Sequence, residues 1–156
     1  MFSVRRAKKT DVDELVALRM ELLREIGNIS KDCKVNVLKK SIRQFFIQKL
    51  PKEEFIAWIA EVDEGIIGTS GLIFCEKPPL ANNVSGFEGY IMNMYTVPEW
   101  RGKGVASTLL QKLMSYLKTR KIQVIRLHAE EAGKAIYKKA GFEPIFTEML
   151  YQEDQT

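Results

Sequence analysis

The stretch of this sequence best suited to chemistry is Arg101-Gly102-Lys103-Gly104-Val105-Ala106-Ser107, which follows a β-like run and opens a helical one. The first amides of a helix have no intrahelical acceptor. Together with the positive end of the helix dipole they attract an anion. Gly102 and Gly104 lack a Cβ, so the main chain can come close to a phosphate. Arg101 and Lys103 add positive charge. Pyrophosphate is the ligand that such a turn suits. Taken alone, the pattern is just as much that of a tight strand-to-helix turn with no ligand. Two other phosphate motifs do not fit. A P-loop needs Gly-x-x-x-x-Gly-Lys-Ser/Thr, whereas Val105 follows Gly104. A dinucleotide fingerprint needs a third glycine and a place early in the fold.

The elements that must position this turn alternate along the chain. Residues 2–6 read as a short strand. Thr10-Asp11-Val12-Asp13 reads as a capping box, a hydroxyl and a carboxylate able to accept orphan amides. The helix behind it carries Val12, Leu15, Leu18, Leu22 and Ile26 at helical spacing and stops near Gly27. A second helix is expected over 35–50, ended by Pro51. Residues 55–62 and 66–74, joined by Asp63-Glu64-Gly65, read as a β-hairpin. A loop over 77–86 follows, then a strand over 89–97. The turn comes next, with a helix over 105–120 on which Val105, Leu109, Leu113 and Leu117 recur every four residues. A strand over 121–128, a short helix over 131–140 stopped by Gly141, and a last strand over 145–151 complete the pattern. Such alternation implies helices packed on a mixed sheet.

The bulk properties narrow the function classes. A length of 156 residues fits one domain, 1–156, and the 46% apolar content supplies a core. No apolar run nears the roughly 20 residues of a membrane-spanning helix. The N-terminus lacks an apolar stretch with a small-residue cleavage site, so no membrane partner and a cytoplasmic location are expected. The net charge of +4 is spread in pairs such as Lys8-Lys9 and Lys138-Lys139, as on solvated faces, without the aromatic-basic interleaving of a nucleic-acid surface. No nucleic-acid partner is expected. Cys33, Cys75 and His128 make a poor metal kit, so no metal site is expected, and the cysteines read as free thiols.

Adding the downstream half sharpens the reading. Arg101-x-x-Gly104-x-Ala106 resembles the Arg/Gln-x-x-Gly-x-Gly/Ala signature of the GNAT superfamily of N-acetyltransferases. About thirty residues later, Ala135-Ile136-Tyr137-Lys138-Lys139-Ala140-Gly141-Phe142 resembles the superfamily's second landmark. The element order resembles that fold along nearly the whole chain. The resemblance implies an α/β (α+β) fold, with a mixed central sheet of about six to seven strands flanked by about four helices. It also implies acetyl-CoA as cofactor and an amine as acceptor.

The resemblance further assigns roles by position. Coenzyme A pyrophosphate falls to Gly102, Lys103, Gly104, Val105, Ala106 and Ser107, with Arg101 alongside. The pantetheine arm falls to the backbone of Met94, Tyr95 and Thr96, paired as an added strand. Acyl transfer from a thioester to an amine develops an oxyanion, for which the Met94 amide is the implied donor. The leaving thiolate needs a proton, and Tyr137, a phenol protonated at neutral pH, is the implied donor. From spacing alone Tyr137 is a core aromatic. For the general base, Glu88, Tyr90, Asn93 holding a water, and His128 are the candidates, although a lone histidine is more often a structural hydrogen-bonder. Many members carry an asparagine seven residues before the tyrosine. Glu130 stands there in this chain and, when ionised, cannot donate, which shifts that contact toward Gly133 or Lys134.

The acceptor pocket of such folds is framed here by 22–46, 76–90 and 145–151. Their aromatics and acids, Phe45, Phe46, Phe87, Tyr90, Glu88 and Glu148, suit a cationic amine. A protein that keeps the fold and binds acetyl-CoA without turnover is the alternative. Members of the superfamily are often dimers, which makes a homodimer the expected assembly, though no segment marks its interface.

Overall fold

A computed structural model describes residues 1–31 and 33–153. The strands are β1 (Ser3–Arg6), β2 (Phe55–Val62), β3 (Gly65–Glu76), β4 (Phe87–Thr96) and β5 (Val124–Leu127). The helices are α1 (Val12–Glu25), α2 (Val35–Lys49), α3 (Val105–Thr119) and α4 (Lys134–Lys139). The sheet order is β1-β2-β3-β4-β5, antiparallel until β4 meets β5 in parallel. That parallel pair requires a crossover, which α3 provides.

Helices cover both faces of the sheet. On one face Ile56, Trp58, Ala60, Leu72 and Ile91 pack with Val105, Leu109, Leu113 and Leu117 of α3 and Tyr137 of α4. On the other, Phe55, Ala57 and Ile59 pack with Val12, Leu15, Val16 and Met20 of α1 and Phe46 of α2. Burial on both sides explains why β2 reads as an apolar run rather than an alternation. Gly68 lets α3 approach β3, since a Cβ there would lie 2.9 Å from Val105 Cγ1 and 3.1 Å from the Tyr95 carbonyl oxygen.

Three expectations are corrected. The sheet has five strands among the described residues, not six to seven. The segment 145–151 forms no strand, and Ile145, Phe146, Met149, Leu150 and Tyr151 are exposed. Alternation shows which side chains would share a face, not whether a neighbouring strand is present to complete the ladder.

The buried stripe of α1 is Val12, Leu15, Val16, Leu18, Met20 and Leu23, with Ile26 exposed. Finally, the expected box of Thr10 and Asp13 is not formed: Asp11 stands at the start of α1 without a side-chain cap, and its carboxylate closes the 3-10 turn Lys9–Asp11 just before the helix. Asp11 accepts the Lys8 amide at 2.6 Å and both Arg5 Nη atoms at 2.9 Å. The Arg5 bonds hold the Asp11 carboxyl below its ordinary pKa, although its partial burial opposes this.

Candidate active site

The turn before α3 is open and donor-rich. Gly102 and Gly104 have φ of +73° and +81°, the left-handed region that costs other residues about 1–2 kcal/mol. An added Cβ at either glycine meets nothing within 4 Å. Gly104 caps α3 with no side-chain hydrogen bond. Among the described residues, the amides of 102–107 donate to no other group. Gly102, Lys103, Gly104 and Ser107 are exposed, while the Val105 side chain anchors the turn in the core.

Arg101 is committed to the protein. Its Nε donates to the Thr96 carbonyl at 2.9 Å, and Nη2 donates to both Glu25 carboxylate oxygens at 2.7 and 2.8 Å. The guanidinium also lies 5.5 Å from the Tyr95 ring centroid. Arg101 therefore ties the turn to the end of α1. Lys103 Nζ sits 4.9 Å over the Trp100 ring.

β4 changes character along its length. Phe87–Ile91 lies between β3 and β5, but pairing with β5 ends at Ile91↔Leu127. Beyond it, Met92–Thr96 has a strand on one side only. Thr69 pairs with Tyr95 and Gly71 with Met92, so Ser70 alone faces both Asn93 and Met94. This is a β-bulge, and Asn93 takes its left-handed position with φ of +54°. Asparagine tolerates that region better than most residues. Beside this edge, the buried Thr96 hydroxyl has no hydrogen-bond partner among the described residues.

Tyr137 is buried against α3 and makes an edge contact with Phe142, their ring centroids 6.0 Å apart. Burial pushes its phenol above the ordinary value, and its hydroxyl has no protein hydrogen-bond partner among the described residues. A Cβ on Gly133 would sit 3.0 Å from the Tyr137 ring, so glycine fits there. Lys134 pairs with Glu131 on the surface.

The base candidates separate. Glu88 is a correction: it is a buried carboxylate gripped by Arg126 Nε at 2.9 Å and Lys77 Nζ at 2.7 Å. The Arg126 and Lys77 hydrogen bonds hold it below the usual carboxylate range, so it is a poor proton acceptor near neutrality. It works instead as a staple joining the 77–86 loop to β5. Asn93 Oδ1 accepts Arg19 Nη1 at 2.6 Å. His128 is exposed past β5, with Nε2 3.5 Å from Glu130. Tyr90 is half-buried in β4 between Ile73 and Arg126.

Sequence reading missed Arg19 and Glu25. Glu25 joins the Tyr95 hydroxyl at 2.9 Å to Arg101. Burial raises the Glu25 pKa, but the Arg101 and Tyr95 hydrogen bonds outweigh that and hold it below its ordinary value. Arg19 had a signal, since Leu15, Arg19 and Leu23 follow one another at i, i+4 and i+8. A cation thus interrupts a buried stripe. No group of three or more metal-ligating side chains exists among the described residues. Two shallow clefts, one bordered by Trp100 and Val97 and the other by Phe45 and Ile73, include neither Tyr137, Met94 nor 102–107.

These features agree with what the chain is similar to. Residues 53–144 match the model of the acetyltransferase (GNAT) domain. The chain is 27% identical over 128 residues to an uncharacterized N-acetyltransferase of Archaeoglobus fulgidus, covering 80% of this chain and 79% of that one. It is 29% identical over 106 residues to N-alpha-acetyltransferase 30 of Schizosaccharomyces pombe, covering 66% and 65%. A predicted acetyltransferase of Clostridium acetobutylicum, its crystal structure determined with acetyl-CoA, is 34% identical with a TM-score of 0.89, covering 97% and 96%. The chain belongs to the GNAT family of acetyltransferases. As a member it is an acetyl-CoA-dependent N-acetyltransferase. Among the described residues, no helix is long and apolar enough to cross a membrane.

Proposed function

We propose that this protein moves an acetyl group from acetyl-CoA to a primary amine of a small molecule or peptide by direct attack, with Tyr137 protonating the departing thiolate. The observation that carries the reading is the run of free amides over 102–107 on a turn whose two glycines leave room for a phosphate. These amides hold the pyrophosphate, and Arg101 braces the turn from behind. The one-sided edge at Met94, Tyr95 and Thr96 pairs with the amide-bearing arm. Bound acetyl-CoA supplies an acetyl group activated as a thioester. The Met94 amide, at the bulge, donates to the acyl oxygen as it gains charge. Tyr137 keeps its proton because burial raises its pKa, and its unpartnered hydroxyl is free to donate to sulfur. Tyr90, His128 or a water held by Asn93 remains to take the proton of the amine.

The test incubates the purified protein with acetyl-CoA and a panel of amines and follows free thiol. Amine-dependent thiol release supports turnover. Tight acetyl-CoA binding with no amine-dependent release would make the chain a catalytically silent binding module.

A further inference from the structure

Six of the eight arginines pair with a carboxylate: Arg5, Arg6, Arg24, Arg43, Arg101 and Arg126. Arg120 has none among the described residues but is exposed. Arg19 differs. It projects from the inner stripe of α1 and is half-buried, and among the described residues no carboxylate lies within 4.0 Å of it. Its one hydrogen bond is to Asn93 Oδ1, so most of its five N–H donors have no protein acceptor among the described residues. Burial disfavours the charged form, yet a guanidinium does not deprotonate in proteins. A desolvated cation without a counter-ion is costly, and structures usually pair it.

Its position gives that cost a function. Asn93 is the left-handed residue of the bulge, adjacent to Met94. Arg19 therefore reaches the bulge of the open edge from α1. We infer that Arg19 is the binding site for a carboxylate carried by the acceptor close to its amine, as in an amino acid. This rests on the acetyl-transfer reading proposed above. A guanidinium meets a carboxylate with paired, charge-assisted bonds. The single charge of a guanidinium matches a monoanion.

Steady-state thiol release with the twenty common amino acids and with their primary amides tests the inference. For the accepted side chain, the wild type should favour the acid over the amide by about tenfold or more in kcat/KM, mainly through KM. In Arg19→Gln that ratio should fall to near one, and Arg19→Lys should keep part of it. A wild-type ratio near one, or a ratio unchanged in Arg19→Gln, overturns the inference.

Calorimetry on the wild type with each N-acetyl amino acid and its amide gives a reading independent of turnover, with the acid expected to bind more tightly. If the acid binds more tightly but no amine is acetylated, the carboxylate site stands and the transfer reading fails. If amines are acetylated and acids show no advantage in rate or binding, transfer stands and the carboxylate site is lost. A uniform fall in kcat for acids and amides in Arg19→Gln, with the ratio retained, reduces Arg19 to a positioning residue for the bulge.

Discussion

The two halves of β4 carry opposite duties. Residues 87–91 are flanked by β3 and β5, and their one charged side chain, Glu88, is locked by Arg126 and Lys77. Residues 92–96 have one strand neighbour, a bulge, a left-handed asparagine and an orphaned hydroxyl. In the first half the charged group is satisfied by the protein and serves stability. The second leaves its outer edge open and its bulge strained. The lesson is local: one strand opens an edge where its neighbour departs and its register slips.

Substitutions should divide along the same line. The largest effect is expected at the turn that continues the open half. Gly104→Val places a β-branched residue at φ of +81°, where it is strained and its side chain occupies the phosphate's approach. Acetyl-CoA affinity measured by calorimetry should fall about a hundredfold, with the far-ultraviolet circular dichroism retained. Tyr137→Phe should lower kcat by about tenfold or more while coenzyme A affinity stays nearly intact. Unchanged turnover would remove the tyrosine from the mechanism and leave it as core.

In the closed half the readout should be stability instead. Glu88→Gln should cost about 2 kcal/mol in denaturant unfolding at neutral pH, because two cations lose a buried carboxylate. The sign with pH follows from its lowered folded pKa. Its stabilisation is present above the ordinary carboxylate range and disappears as pH falls through the folded value, so the variant should lose less stability on acidification. A fall in kcat larger than the loss in stability would break the division between the halves.

The smallest effect concerns Tyr95. Burial first, and Glu25 second, push its phenol up to about 12. Glu25→Gln should lower that value only in part, seen as phenolate absorbance appearing at lower pH, because the burial contribution remains.

The turn was legible because its chemistry is local. Gly102 and Gly104 are close together in sequence, the helix start follows at once, and backbone amides need no distant partner. The helices and hairpin were legible for the same reason, since periodicity and turn residues act within a few positions. What the sequence hid depends on distant pairing. The bulge at Asn93 and Met94 arises from register against Thr69 and Gly71. The fate of Glu88 depends on Arg126, 38 residues away. The missing strand over 145–151 shows the converse, a strong local pattern that pairs with no strand of the sheet. Arg19 lay in between: its place on an apolar stripe was visible, but its meeting with Asn93, 74 residues on, was not.

The unequal burial of β2 and α2 bears on how such a molecule drifts over generations. Every residue from Phe55 to Ala60 is buried, so the strand between the two cores tolerates little change. In α2 only Phe46 is fully buried; Val35, Leu38, Ile42 and Ile47 are partly buried against the same core, and the opposite face of the helix is exposed. Random variation will be culled in the strand and retained along the helix. The exposed face of α2 can therefore be rewritten while the strand stays fixed, which lets one scaffold diversify its surface without relearning how to fold.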